Sequence, residues 1–294
     1  MKCYLCPRNC GVDRDQGELG FCRETNEIVV ARAALHFWEE PCISGTAGSG
    51  AVFFSGCNLQ CVFCQNASIA RAEAGKGITV QRLADIFLEL QKKHAQNINL
   101  VTPTHFVLPI IEALKISRAR GLEIPVVYNS SAYEKVETLK LLEGYVDVFL
   151  PDFKYLDAAI SSKYSNARDY PGIARAALQE MFRQVGRPVF DGNGRMKKGM
   201  IVRHLMLPDC AKDSKAVVNY LHETYGDDIF ISIMNQYTPL PHVKRFSELD
   251  RRISAKEYDQ LVDYAIALGV ENAFIQEGDT AEESFIPDFD NEGV

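Results

Sequence analysis

From residue 51 onward the chain alternates between two kinds of segment. Short runs rich in Val, Ile and Phe occur at 51–55, 97–102, 124–129, 146–151, 200–206, 229–234 and 272–276. Between them lie stretches with helical spacing at about 79–94, 104–120, 133–144, 173–186, 213–225 and 254–268. Apolar runs this short, without polar alternation, read as strands buried on both faces. Strands joined in sequence by helices lie parallel, with right-handed crossovers. The expected fold class is therefore α/β, a partial (β/α)6-type TIM barrel. A length of 294 residues suits one such barrel with a small appendage. Local signals agree with this reading. Thr79 and Ser254 stand at N-cap positions, Ser254 with Glu257 three residues on, and Gly121 and Gly269 stand where helices end.

The nine cysteines fall into groups: Cys3, Cys6, Cys10 and Cys22; Cys42; Cys57, Cys61 and Cys64; and Cys210. Met1-Lys2-Cys3-Tyr4 is not followed by the apolar stretch of an export signal, so a cytoplasmic location and reduced thiols are expected. Clustered thiols then point to metal ligation. Cys42 and Cys210 read as small buried hydrophobes. No apolar run reaches membrane-spanning length, and a net charge of −7 argues against a broad nucleic-acid surface. Neither a membrane nor a nucleic acid is expected as a partner.

Cys57-Asn58-Leu59-Gln60-Cys61-Val62-Phe63-Cys64 follows the first barrel strand. In parallel barrels function gathers at the C-terminal ends of the strands. Three thiolates satisfy three irons of a cubane [4Fe–4S] cluster and leave the fourth open. A structural zinc site would fill all four positions. The competing reading is a zinc or electron-transfer site that draws its fourth ligand from elsewhere.

The C-x₃-C-x₂-C spacing with an aromatic residue, Phe63, before the last cysteine resembles the radical S-adenosylmethionine (SAM) superfamily. Residues 53–66, Cys-Pro-Arg-Asn-Cys-Gly near the N-terminus, Trp38-Glu39-Glu40-Pro41, Thr-Pro-Thr-His at 102–105, Leu-Pro-Asp-Phe-Lys-Tyr at 150–155 and Met-Asn-Gln-Tyr at 234–237 look like its pyruvate formate-lyase activating enzyme-like branch. The resemblance implies a partial barrel, catalytic cysteines Cys57, Cys61 and Cys64, a [4Fe–4S] cluster and SAM. It implies reductive cleavage of SAM to a 5′-deoxyadenosyl radical that abstracts hydrogen, with a reductant such as flavodoxin or ferredoxin as partner.

The other strand ends supply candidates for cofactor contact. Strand two ends at Thr102 and Thr104, where activases commonly carry Gly-Gly-Glu; Thr104 is otherwise a helix cap. Strand three ends at Asn129 and Ser131, where Ser130 or Ser131 also suits a cap. Strand four ends at Asp152 and Lys154, which point the same way if the strand persists. An Asp-x-Lys at this strand meets SAM in the activating enzymes that the sequence resembles; a structural salt bridge is the alternative. Strand five carries Arg203 and His204 on opposite faces, so one of them faces the barrel interior. Strand six ends near Asn235.

Cys3, Cys6, Cys10 and Cys22 form a second constellation in a loop-rich segment with little apolar material of its own. It fits either a second [4Fe–4S] cluster or a Cys₄ zinc site, and the metal would supply the order. The expected division is a module and extended segment at 1–42, the barrel at 43–276 and an acidic tail at 277–294. That tail holds seven acids and no base, and Phe285, Ile286 and Phe289 suggest that it packs back. Residues 187–199, rich in Gly, Lys and Arg, interrupt the barrel pattern as a turn excursion or lid. The functional expectation is a radical SAM oxidoreductase, a glycyl-radical activase of a partner enzyme. The alternatives are a modifying enzyme acting on another protein, peptide or small molecule, and a non-catalytic iron–sulfur or zinc scaffold.

Overall fold

The computed structural model describes residues 2–276 and 287–294. Among them ten strands form one sheet: β1 Ile28–His36, β2 Ser49–Phe54, β3 Lys76–Ile78, β4 Ile98–Val101, β5 Val126–Ser130, β6 Val148–Pro151, β7 Val189–Phe190, β8 Met196–Leu205, β9 Phe230–Met234 and β10 Ala273–Ile275. The order is β10-β9-β8-β6-β5-β4-β2-β1-β3, with β7 paired to β8. Strands β2, β4, β5, β6, β8, β9 and β10 run parallel. Every residue of β2, β4, β5 and β6 is buried, which is why these strands read as continuous apolar runs. The sheet is curled. Phe53 of β2 and Phe274 of β10, far apart in strand order, line one cleft.

Helices Val80–Lys92, Val107–Ala119, Tyr170–Val185, Ala211–Tyr225 and Ala255–Leu268 bring Leu83, Phe87, Ile110, Met181, Leu221 and Leu261 into the main core. Each such side chain, fully buried, contributes about 1.5–3 kcal/mol. The Thr79 side chain caps the first of these helices, and Ser254 with Glu257 forms a capping box on the last. A separate apolar cluster joins Cys42 and Ile43 to Val127, Val148, Leu150 and Ile201. The short helix Pro41–Ser44 thus packs onto strands β5, β6 and β8 on the face opposite that main core.

Several local expectations change. The segment 133–144 forms only the helix Val136–Lys140, because the chain beyond it tightens into i→i+3 turns, as in Leu142 N–H to the Leu139 carbonyl. Lys135, not Ser130 or Ser131, stands at its N-cap. Residues 187–199 contain a hairpin of β7 with the start of β8. The extended segment before residue 42 is β1, antiparallel to β2, so the sheet continues across that position. In the tail, Phe289 packs edge-on to Phe53 with ring centroids 5.6 Å apart, and the Ala33 N–H donates to the Glu292 carbonyl at 2.8 Å. Phe285 and Ile286 lie outside the described residues.

Candidate functional site

The loop after β2 begins with Gly56 at φ +79°, where a Cβ would stand 2.6 Å from the Cys22 carbonyl oxygen and 2.5 Å from Glu24 Cγ. Glycine here lets the loop abut the N-terminal module. The turn that follows aims backbone at sulfur: the N–H groups of Leu59 and Gln60 donate to Cys57 Sγ at 3.3 and 3.5 Å. The Ser165 hydroxyl donates to Cys61 Sγ at 3.0 Å. His105, buried and kept neutral by that burial at a pKa of about 3, hydrogen-bonds the Ser55 carbonyl at 2.6 Å and fixes the loop's first residues.

Cys57, Cys61 and Cys64 all line one cleft at the C-terminal ends of the parallel strands, as do Phe63, Thr102, Asn129, Ser131, Asp152, Lys154 and Arg203. Burial pushes the Cys61 and Cys64 thiols up, Cys64 to about 12. Only a strong local positive charge, such as a bound metal supplies, holds such thiols as thiolates. Three soft donors on one loop, all facing one cleft, fit a cubane cluster. Among the described residues no group of three or more His, Cys, Asp or Glu converges on one ion-sized point. A cubane does not require convergence, since each thiolate takes a separate iron. Phe63 is buried edge-on between Tyr155 and Tyr237, each 6.4 Å away, and walls the loop from water.

Across the cleft stands a charge network. Lys154 Nζ donates to Asp152 Oδ2 at 2.7 Å, and Arg203 Nε donates to Asp152 Oδ1 at 3.0 Å. Arg203 also reaches Glu39 Oε2 at 2.8 Å and Asn129 Oδ1 at 2.6 Å. Asn99 holds the other Glu39 oxygen at 2.8 Å. Burial works against the Asp152 carboxylate, yet Lys154 and then Arg203 outweigh it and hold its pKa below the usual range. Burial likewise disfavours the Lys154 ammonium, and Asp152 followed by Cys61 more than offsets it. Thr102, a β-branched residue at φ +59°, holds a strained backbone at the rim, its N–H donating to the Asn129 carbonyl.

Three sequence candidates fall outside this cleft lining. Thr104 is buried in a 3-10 turn and donates to Glu134 Oε1 at 2.6 Å. His204, one residue from Arg203, points to the opposite face, its Nδ1 2.9 Å from the Phe153 carbonyl. Asn235 lies past the end of β9, where its N–H is held by Gln276 Oε1 at 2.8 Å, and Gln236 lines the cleft instead. Reasoning from strand ends missed Glu39 and Glu40. They precede the first parallel strand, and the signal was two adjacent carboxylates between Trp38 and Pro41.

Of the N-terminal cysteines, Cys6 and Cys22 are buried, with burial pushing them to about 12 and about 11. Both Cys10 Sγ and Cys22 Sγ lie within 3.6 Å of where a Gly20 Cβ would stand. None of the four lines the cleft. Arg8 docks the module: its guanidinium donates to the Asn58 carbonyl at 2.8 Å, to Asn166 at 2.6 Å and to Ser165 at 3.1 Å, and stacks 3.9 Å from the Phe21 ring centroid.

The sequence profile of the radical SAM superfamily matches residues 51–191. An uncharacterized protein of Methanocaldococcus jannaschii is 29% identical over 277 residues, covering 90% of this chain and 74% of its own length. A radical SAM methyltransferase from Sphaerobacter thermophilus shares the fold with a TM-score of 0.54 at 14% identity, over 78% of this chain and 66% of its own. Streptococcus suis SuiB, solved with its precursor peptide SuiA, matches with a TM-score of 0.50 at 13% identity, over 75% of this chain and 46% of SuiB. This chain therefore spans about half the length of SuiB. Among the described residues no helix is long and apolar enough to cross a membrane.

Proposed function

We propose, from the premise that this chain carries a radical SAM superfamily domain over residues 51–191, that it acts as a hydrogen-abstracting enzyme on a substrate admitted to the cleft described above. The observation that carries this reading is the presence of three cysteines, on one loop at the end of a barrel strand, in the same cleft as a partly buried Asp–Lys–Arg network. Cys57, Cys61 and Cys64 would hold a [4Fe–4S] cluster, which would supply the iron that binds SAM and the one-electron chemistry that cleaves it.

The chain's own residues do the rest. The Leu59 and Gln60 N–H groups and the Ser165 hydroxyl stabilise negative charge on the sulfurs. Lys154 offers a cation to the methionine carboxylate of SAM, and Asp152 an acceptor to its ribose hydroxyls. Thr102, Asn129, Ser131 and Arg203 complete the polar wall. Phe63 with its two tyrosines keeps water from the reactive region. The electron comes from a small one-electron donor of the flavodoxin or ferredoxin type. In this reading Cys3, Cys6, Cys10 and Cys22 bind a second [4Fe–4S] cluster rather than a zinc ion, since a cubane needs no single point of convergence.

The activase reading, hydrogen removal from a glycine of a partner enzyme, is favoured by the Asp152-Phe153-Lys154 segment that resembles activating enzymes. Anaerobic reconstitution followed by dithionite and SAM tests the shared chemistry: 5′-deoxyadenosine is expected, and its absence from reduced, fully loaded protein rejects the reading. A glycyl-radical EPR doublet on a candidate partner separates activase from modifying enzyme.

A further inference from the structure

Five charged side chains line the cleft: Glu39, Glu40, Asp152, Lys154 and Arg203. Three are acids and two are bases. Asp152 pairs with Lys154 and Arg203, and Glu39 pairs with Arg203 and is held by Asn99. Glu40 is different. It is 8% exposed, and its Oε2 has no hydrogen-bond partner. Burial holds its carboxyl above the usual carboxylate range; Arg203 draws it down and Glu39 pushes it up again. The Ser232 hydroxyl, on the facing strand, also draws it down. A buried carboxyl oxygen left without a partner is costly and asks for an explanation.

Its position suggests one. Ser232 lies level with Arg203 and Phe274 in the sheet, two residues below the end of β9, or about 7 Å at strand rise. The cysteine loop, by contrast, leaves the upper end of β2. Glu40 therefore faces the deep part of the cleft, beneath the level of the cluster ligands. The cleft wall at the seam between the two ends of the curled sheet is mostly apolar, made by Trp38, Phe53, Phe274, Ile275 and Pro287, with His36 and Gln276 beside them. An apolar wall with one buried acid at its base, its Oε2 without a partner, matches a cationic group on an apolar stem.

We propose that Glu40 is the substrate anchor, and that the substrate presents to it a primary ammonium group on an apolar stem. This rests on the radical SAM reading above. The ammonium supplies the donor that Oε2 lacks and balances the cleft's charge, while the stem covers the seam. Charge-assisted hydrogen bonds of this kind are strong enough for roughly a ten-fold or greater preference over a neutral isostere.

Trp38 makes the test specific, because it is the chain's one tryptophan and lines the same cleft. Protein labelled with 5-fluorotryptophan gives one fluorine resonance. The reconstituted protein, cluster oxidised, is titrated with n-pentylamine and separately with n-pentanol, in wild type and Glu40→Gln, with and without SAM. The expected result is saturable binding of the amine at least about ten-fold tighter than the alcohol. Glu40→Gln then erases that preference, and SAM leaves it intact. Equal binding of amine and alcohol by wild type, which needs no substitution, overturns the assignment. So does an unchanged preference in Glu40→Gln, or displacement of the amine by SAM, which gives Glu40 to the cofactor. Deoxyadenosine release from the same preparation separates the two claims. Release without amine preference sinks the anchor and leaves the radical chemistry standing; preference without release does the reverse.

Discussion

Cys57, Cys61 and Cys64 hang from a strand whose six residues are all buried, whereas Cys3, Cys6, Cys10 and Cys22 sit on loops with a single three-residue 3-10 turn among them. The first group opens into the cleft; the second turns away from it and has two of its four thiols buried. The two regions nonetheless touch, through Arg8 on the Asn58 carbonyl, Gln60 Nε2 on the Phe21 carbonyl at 2.7 Å, and the Cys22 backbone against Gly56. The contrast teaches where reactivity belongs. A strand end gives a ligand loop rigid support and one open side. A loop module with little core of its own gains order from its metal and from docking.

The largest expected effect is a direct contrast between the two groups. Replacing Cys57, Cys61 and Cys64 together by Ala should reduce deoxyadenosine release to background. Replacing Cys6 and Cys22 by Ser should lower bound metal and thermal stability while leaving measurable release. Equal loss in both variants would break the distinction.

Removing Arg203 probes the wall that faces the cysteine loop. Arg203→Met leaves the partly buried Glu39 without a cation and Asp152 with Lys154 alone. A loss of about 3–5 kcal/mol in unfolding free energy is expected, with weaker SAM binding. Chemical denaturation and equilibrium dialysis measure the two. Unchanged stability would mean that water reaches both carboxylates.

Glu134 lies at the junction of the two regions. It is fully buried, accepts from Thr104, and burial raises its pKa to about 7. The folded state therefore keeps a proton that the unfolded chain releases from about pH 4.5 upward. The stability this group contributes is whole below that pH, declines as pH rises to about 7, and is then flat. The change is on the order of 3 kcal/mol. Denaturation midpoints at pH 4.5 and 7.5 should differ accordingly in wild type and differ less in Glu134→Gln. Identical slopes would show that Glu134 is ionised in the folded protein.

The smallest effect sharpens the docking itself. Arg8→Ala strips donors from the Asn58, Ser165 and Asn166 carbonyls, and about 1–3 kcal/mol of stability should go with them. Faster amide exchange at residues 57–61 would accompany it; unchanged exchange would mean that the loop holds itself.

Much of the barrel was legible because its strands are buried on both faces, so Val52, Leu100, Val127 and Phe149 left continuous apolar runs. The alternation of Arg203 and His204 was legible for the same reason that fixes every strand, a side-chain period of two. Local pattern carried less in the loops. The helix over 133–144 shrank because carbonyls there find partners three residues on, which composition does not announce. Glu39 and Glu40 escaped because a short plug helix brings them into the barrel by tertiary packing alone. Thr104 was misplaced because a 3-10 turn rotates it onto Glu134, a contact thirty residues away in sequence.

The central claim is that the cleft loop, not the N-terminal module, holds the SAM-responsive cluster. EPR of the dithionite-reduced protein, recorded before and after adding SAM, tests it most directly. The account predicts a reduced-cluster signal that changes with SAM in wild type and in the Cys6/Cys22→Ser variant, and loss of that SAM-sensitive signal in the Cys57/Cys61/Cys64→Ala variant. A SAM-sensitive signal that survives the loss of Cys57, Cys61 and Cys64 would contradict it.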